Sequence, residues 1–90
     1  MKTYHYLISG RVQGVCFRHY TVQEAERLGI FGTVRNMPNG SVEVFAQADE
    51  AGIAKFESFL HVGPRPARVE RVVKEVVDEQ MEYRGFDISW

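Results

Sequence analysis

The stretch GRVQGVCFR, residues 10–18, marks the point at which a predicted strand gives way to a predicted helix. Its two glycines, Gly10 and Gly14, permit sharp turns and let backbone N–H groups come close to a ligand. The first turn of the helix that follows presents N–H donors and a partial positive charge. Arg18 adds a planar cationic fork that can hold two phosphate oxygens at once. The stretch therefore predicts a phosphate-binding site at a β-to-α junction.

The spacing of these glycines excludes two common nucleotide motifs. The stretch lacks the lysine and the hydroxyl residue of a Walker P-loop. It also lacks the third glycine of a dinucleotide-binding fingerprint, and 90 residues leave no room for a doubly wound sheet. Because two glycines near a turn occur in many chains that bind nothing, the rest of the chain has to decide their meaning.

The segments on either side of this stretch show clear periodicity. Residues 4–9 alternate, with Tyr4, Tyr6 and Ile8 on one side, which predicts a strand. Phe17 to Leu28 has helical spacing, carried by Val22, Ala25 and Leu28, and Gly29 is a suitable C-cap. The capping-box spacing of Thr21 and Glu24 leaves a later helix start conceivable. The earlier start is favoured because no turn signal separates Thr21 from Phe17.

The second half of the chain repeats this alternation of strands and helix. Residues 30–36 and 41–48 are extended, and Pro38-Asn39-Gly40 between them is a hairpin signal. A second helix opens at Asp49 or Glu50 and ends at Gly63-Pro64. Its apolar stripe consists of Ile53, Phe56, Phe59 and Leu60.

Two further segments complete the predicted sheet. Residues 69–77 fit a helical period as well as a strand, and the density of valine favours the strand. Residues 86–89 predict a short strand at an edge. The order β-α-β-β-α-β with a small extra strand predicts an α+β fold, the ferredoxin-like split β-α-β sandwich. In it, one antiparallel sheet carries both helices on one face. Many unrelated functions share this fold, so it fixes no activity.

Size and composition predict one domain over residues 1–90 in the cytoplasm. Hydrophobic residues make up 44% and charged residues 26% of the chain, as in ordinary globular proteins. The sequence has no apolar run of membrane-spanning length and no signal-peptide pattern. A single cysteine, Cys16, allows no internal disulfide, which agrees with a reducing compartment. The net charge of −1 gives no general attraction for nucleic acid or membrane, and the small size favours a monomer.

A second motif makes a family resemblance plain. It runs Gly32-Thr33-Val34-Arg35-Asn36 and, after the turn, Ser41-Val42-Glu43. Together with residues 10–18 it resembles the acylphosphatase pattern Gly-x-Val-Gln-Gly-Val-x-Phe-Arg, Gly-x-Val-x-Asn and x-Val-Glu at every fixed position. Weaker similarity continues through residues 63–64, 68–69 and 86–88. The resemblance thus covers nearly the whole chain.

The resemblance implies a reaction and the residues that perform it. The reaction is hydrolysis of a small-molecule acyl phosphate to a carboxylate and inorganic phosphate, with no metal and no organic cofactor. Arg18 matches the family's phosphate-binding arginine and Asn36 the asparagine that orients the attacking water. The implied phosphate cradle consists of the backbone N–H groups of Gln13, Gly14, Val15, Cys16 and Phe17.

The chemistry of the reaction agrees with the residues present. A carboxylate is a good leaving group, so a strong general acid is not required. The task is to hold three equatorial oxygens and to align the nucleophile. One arginine with a ring of backbone amides can hold the oxygens. One side-chain amide carbonyl that accepts a hydrogen bond from water can align the nucleophile. Asn36 is too weak a base to take the proton, so the phosphate itself is expected to receive it.

Other residues of the motifs have more ordinary interpretations. Cys16 is expected to be a small packing residue rather than a thiol nucleophile, since water can attack directly. The three histidines lack metal-ligand spacing and are expected to be solvated or structural. Strand alternation aims Arg35 at the face opposite Asn36.

Gly10 and Gly14 are expected to leave room in the cradle. Ala48 stands where many family members carry glycine, which would cost about 1 kcal/mol if a positive φ were needed.

Two binding modules share the predicted fold and remain as alternatives. An RNA-recognition domain needs aromatics in two signature segments and a basic surface, and Tyr4, Tyr6 and Phe45 lie outside any such signature. A non-catalytic acylphosphatase-like domain that binds phosphate or carbamoyl phosphate is the closer alternative. Its usual context is a much longer maturation protein.

Overall fold

The computed structural model describes residues 1–78 and 82–89. Seven elements follow one another in the predicted order. They are β1 (Lys2–Arg11), α1 (Phe17–Leu28), β2 (Phe31–Asn36), β3 (Val42–Ala48), α2 (Glu50–Val62), β4 (Arg68–Val77) and β5 (Phe86–Ile88). The valine-rich segment is thus a strand, as predicted. The expectation of one domain over residues 1–90 includes positions 79–81 and 90, which lie outside the described residues.

The five strands form one sheet in the order β4-β1-β3-β2-β5. β1 lies between β3 and β4 and runs antiparallel to both, and β2 is antiparallel to β3. The ferredoxin-like arrangement is therefore confirmed, with β5 at an edge. The sheet is mixed rather than purely antiparallel, because β5 pairs with β2 in parallel. The direction of β5 depends on the path taken from one edge of the sheet to the other, which no local pattern records.

One face of the sheet carries the core. Tyr4, Tyr6 and Ile8 of β1 are buried, while the residues between them are half-buried on the other face, as the alternation predicts. The Tyr6 ring meets Phe56 of α2 edge-on at 6.5 Å between centroids. Its hydroxyl donates to a carboxylate oxygen of Glu57 at 3.1 Å, so the buried oxygen keeps a partner. Burial, reinforced by this carboxylate, raises the pKa of Tyr6 above its ordinary value.

The helix ends follow local rules. α1 begins at Phe17, so the later start suggested by Thr21 is wrong. Thr21 is instead buried within the helix, and its hydroxyl donates to the carbonyl of Phe17 at 2.8 Å. Asp49 is the N-cap of α2 and accepts from the N–H of Gly52 at 2.8 Å. Within residues 1–78 and 82–89, no helix is long and apolar enough to cross a membrane.

Ala48 adopts a backbone conformation open to any residue. Cys16 is the only non-glycine with a positive φ in the described part of the chain, and Ala48 lies at the buried end of β3. Because Ala48 does not need a positive φ, alanine at this position carries no such stability cost.

Candidate functional site

A cavity of about 360 Å³ opens where β1 gives way to α1 and where β2 ends. It joins the 10–18 stretch, the end of β2 and the edge strand β5. Arg18 and Asn36 both line it, so the fold brings together the two side chains predicted to act on phosphate and on water. The lining residues are Val12, Gly14, Cys16, Phe17, Arg18, His19, Asn36 and Ile88.

The loop before α1 curls through two left-handed residues. Gly14 has a φ of 73° and Cys16 a φ of 62°, and Cys16 directly precedes the right-handed helix. A left-handed residue next to a right-handed one turns successive N–H groups toward one point, which is the geometry of an anion-binding nest. This geometry favours a concave surface of backbone donors at residues 14–16, beside the cavity that Gly14 and Cys16 line.

The first turn of α1 extends this surface. Cys16 supplies no side-chain cap, and the first helical hydrogen bond runs from the N–H of Tyr20 to the carbonyl of Cys16 at 3.1 Å. The N–H groups that precede the first intrahelical bond have no acceptor within a helix, and here they include those of Phe17 and His19. The first turn also contains no acidic residue. An anion in the cavity would meet these donors and the positive end of the helix.

Cys16 is exposed, so the expectation that it is a small packing residue is wrong. A left-handed conformation costs a non-glycine residue about 1–2 kcal/mol, and a buried neighbour on each side holds it there. Those neighbours are Val15 and Phe17, which both belong to the hydrophobic core.

The two glycines of the motif are required for different reasons. A Cβ on Gly10 would lie 2.2 Å from the carbonyl oxygen of Arg68, because β1 and β4 approach closely at a bulge between Ser9 and Gly10. A Cβ on Gly14 would meet nothing within 4 Å. Gly10 is therefore explained by the contact between strands rather than by the cradle, whereas the expectation that Gly14 leaves room there stays a prediction, because Gly14 lines the cavity and has open space beside it. Gly10 serves the contact between strands and Gly14 the left-handed turn.

Asn36 is held by the turn that follows β2. The N–H of Met37 donates to the carbonyl of Ser41 at 2.8 Å, and the Asn39 side chain accepts from the N–H and hydroxyl of Ser41 at 3.1 and 2.6 Å. Gln13 ties this turn to the cradle loop, since its Nε2 donates to the carbonyls of Met37 and Ser41, both at 2.8 Å. One side chain thus links the loop before α1 to the turn after β2.

Two of the five predicted cradle residues do not line the cavity with their side chains. Val15 is buried in the core, and the Gln13 side chain is committed to the turn after β2. The prediction for these two positions concerned their backbone N–H groups, and it stays a prediction. Gly14, Cys16 and Phe17 do line the cavity.

Sequence reasoning missed three lining residues: Val12, His19 and Ile88. Val12 lies within the quoted stretch, and its position between the two glycines could have indicated it. His19 follows Arg18 on the first turn of α1, so its neighbourhood could have suggested the site. Ile88 carried no signal, because its place depends on the pairing of β5 with β2.

Behind the cavity, the open face of the sheet carries a charge cluster made of Arg35, Glu43 and His5. The Glu43 carboxylate accepts from Nε of Arg35 at 2.6 Å and lies 2.8 Å from Nε2 of His5. Burial alone would raise the pKa of Glu43, but hydrogen bonds from His5 and Arg35 outweigh it and lower that pKa. Arg35 therefore faces away from the Asn36 side of β2, as predicted, and the expectation of a structural role holds for His5.

A second cavity of the same volume lies between α2 and β4. Two of its charged residues pair with each other, since Nζ of Lys74 lies 2.5 Å from a Glu57 carboxylate oxygen. The same Nζ lies 4.9 Å from the centre of the Tyr4 ring. Among residues 1–78 and 82–89, no three His, Cys, Asp or Glu side chains are grouped as metal ligands would be. The first cavity is thus the one that combines backbone donors with an arginine and an asparagine.

The sequence comparisons agree with this geometry. A family model described as Acylphosphatase matches residues 4–88. A curated relative from Thiobacillus denitrificans, named Acylphosphatase, is 47% identical over 87 residues, which are 97% of this chain and 96% of the relative.

Comparison with solved structures gives the same result for the fold. A crystal structure of acylphosphatase from Bacillus subtilis matches with a TM-score of 0.95 at 28% identity and covers 100% of both chains. The HypF protein of T. kodakarensis matches all of this chain with a TM-score of 0.88 at 30% identity, but only 12% of its own length.

Proposed function

The chain belongs to the acylphosphatase family, and from this membership we propose that Arg18 and Asn36 are its catalytic residues. The protein hydrolyses acyl phosphates to a carboxylate and inorganic phosphate. A purely phosphate-binding or carbamoyl-phosphate-binding role is not favoured, because the curated relative is matched over nearly its whole length and is itself named as the enzyme. The observation that carries the assignment of residues is that both side chains line one cavity.

In the proposed mechanism the phosphoryl group sits on the cradle. The guanidinium of Arg18 and the N–H groups of residues 13–17, with those of the first turn of α1, hold its three equatorial oxygens. Charge that develops on these oxygens in the transition state meets donors that are already oriented. Positioned donors reduce the reorganisation that the reaction would otherwise require.

The side-chain carbonyl of Asn36 accepts a hydrogen bond from the attacking water and aligns it with phosphorus. The water oxygen forms the new P–O bond as the bond to the acyl oxygen breaks, and the electron pair leaves with the carboxylate. The water proton passes to a phosphate oxygen, so the products are a carboxylate and dihydrogen phosphate. This route uses no metal, and positioning supplies much of the rate enhancement.

Several features support a small single-domain enzyme. The described residues share one sheet and one hydrophobic core, which supports a single domain over residues 1–90. The near-neutral charge of −1 supports a small-molecule substrate rather than nucleic acid. Monomeric action in the cytoplasm remains part of this proposal.

The test is phosphate release from benzoyl phosphate in the presence of a chelator. We expect hydrolysis by the unchanged protein and a loss of at least about 10²–10³-fold in kcat/KM for Arg18→Ala and for Asn36→Ala. Arg27→Ala is the matched control, because Arg27 lies on the same helix outside the cavity and pairs with Glu24 on the surface. Its activity should stay within about twofold of the unchanged protein.

Each alternative has its own signature in this assay. A folded but inert protein that still binds inorganic phosphate would show a binding module instead of an enzyme. If Cys16→Ser lost as much activity as Arg18→Ala, a thiol nucleophile would replace water in the mechanism. If Arg18→Ala and Arg27→Ala lost equal activity, Arg18 would have no specific role in the reaction.

A further inference from the structure

The cavity is larger than a phosphate group requires. At about 360 Å³ it falls at the lower end of the range of pockets that hold whole small ligands, roughly 300–1,000 Å³. The cradle loop and Arg18 provide for the phosphoryl end of a substrate. The remaining walls must therefore face the acyl group.

Among the lining residues, Ile88 offers an uncovered aliphatic side chain. Val12 and Phe17 also line the cavity, but each is only 1% exposed and has little surface left for a ligand. Ile88 is 37% exposed although it is a large aliphatic residue. Exposed aliphatic surface within a concave site is a ready contact for an apolar group of a ligand.

The position of Ile88 follows from the pairing of β5 with β2. Gly32 lies opposite Phe86 and Val34 opposite Ile88, so Phe86 and Ile88 share the face of β5 that the helices cover. Phe86 is buried, with its ring 5.7 Å from that of Phe56. Ile88 lies two residues further along the strand, beyond the part that the helices cover, and lines the cavity.

This strand end is held firmly. The N–H of Ser89 donates to the carbonyl of Val34 at 2.8 Å, directly after Ile88. The N–H of Gly32 donates to the carbonyl of Gly85 at 2.9 Å, directly before β5. A side chain fixed at both ends of its strand can discriminate between ligands, because it does not move aside at low cost.

We propose that Ile88 is the acyl-side specificity residue and that it favours acyl phosphates with a bulky apolar group next to the carbonyl. This inference rests on the proposed function, since it assigns the acyl end of the same substrate. An aromatic or branched acyl group would cover the exposed face of Ile88, and an acetyl group is too short to do so fully. This apolar contact adds to the binding of a substrate whose phosphoryl group Arg18 already holds.

The experiment measures kcat/KM for benzoyl phosphate and for acetyl phosphate in the unchanged protein, Ile88→Ala and Ile88→Leu. We expect Ile88→Ala to lower kcat/KM for benzoyl phosphate about tenfold and for acetyl phosphate less than about twofold. Ile88→Leu keeps an apolar side chain and should restore most of the preference. Val76→Ala is the matched control, because Val76 is an exposed aliphatic residue on β4, outside this cavity.

The ratio of the two substrates separates specificity from a structural effect. If Ile88→Ala merely disturbed β5 and Asn36, both substrates would lose activity equally and the inference would be overturned. Unchanged activity on both would overturn it as well, while leaving the proposed function intact. If the unchanged protein hydrolysed neither substrate, the proposed function would fail and this inference with it.

Discussion

Glu43 is a residue whose role the sequence pattern did not indicate. It matches the second motif, yet its carboxylate lies on the open face of the sheet and binds Arg35 and His5 rather than any group of the cavity. Arg18 and Asn36 could be placed from the motifs, because their neighbours along the chain define a loop and a strand end. The partners of Glu43 could not be predicted from the motifs, because they depend on the register between β1, β2 and β3.

The substitution Glu43→Gln tests this cluster. We expect it to lower the free energy of unfolding at neutral pH by about 1–3 kcal/mol, because two hydrogen bonds to a charged acceptor are weakened. The folded-state pKa of Glu43 is lowered, so its contribution is present above the unfolded value of about 4.3 and is lost as the pH falls through the folded pKa. The difference between the two proteins should therefore shrink in acid.

Urea denaturation at about pH 7 and about pH 3 measures that difference. Glu24→Gln is the control, because Glu24 pairs with the exposed Arg27 and surface pairs of this kind contribute little to stability. A destabilisation of Glu43→Gln that is the same at both pH values would show that its ionisation is not involved.

At the scale of elements, strands and helices were predictable where a local signal existed. α1 begins and ends where the spacing of its apolar residues and Gly29 indicate. The parallel direction of β5 and the left-handed backbone of Cys16 were not predictable. The first depends on a crossing from one sheet edge to the other, and the second is imposed by the buried residues beside it.

The close contact between β1 and β4 gives a prediction that separates the two glycines. Gly10→Ala should lower the free energy of unfolding by about 2–5 kcal/mol, because its Cβ would meet the backbone of Arg68 and Glu70 and its φ is positive. Gly14→Ala should lose only about 1–2 kcal/mol, since its Cβ points into open space and only the φ is unfavourable. Urea denaturation of both variants measures the difference, and equal losses would contradict the contact described here.

At the scale of the whole molecule, the site depends on two halves of the chain meeting. The cradle follows β1 and Asn36 ends β2, and Gln13 joins them through the carbonyls of Met37 and Ser41. The motifs named the residues of both halves, but no sequence pattern shows that a glutamine connects them. That link exists because the fold places the two strand ends side by side.

Gln13→Ala should therefore affect activity more than stability. The two carbonyls keep backbone donors from Gly40 and Met37, so we expect a loss of about 1 kcal/mol in the free energy of unfolding. A shift of Asn36 relative to the cradle should lower kcat/KM about 10- to 100-fold. Gln47→Ala is the control, because Gln47 donates to the Thr3 hydroxyl on the open face of the sheet. If both variants hydrolysed benzoyl phosphate at the same rate, the link would have no part in positioning the site.

The position of β4 at one border of the sheet has a consequence for how copies of this protein behave together. A ten-residue border strand rich in valine would ordinarily be a template for strand addition and fibril growth. β4 carries charged side chains along its length, namely Arg68, Glu70, Arg71, Lys74 and Glu75. An incoming strand would have to bury or oppose these charges, and the other border, β5, is only three residues long. We expect the folded protein to resist aggregation through either border even in concentrated solution.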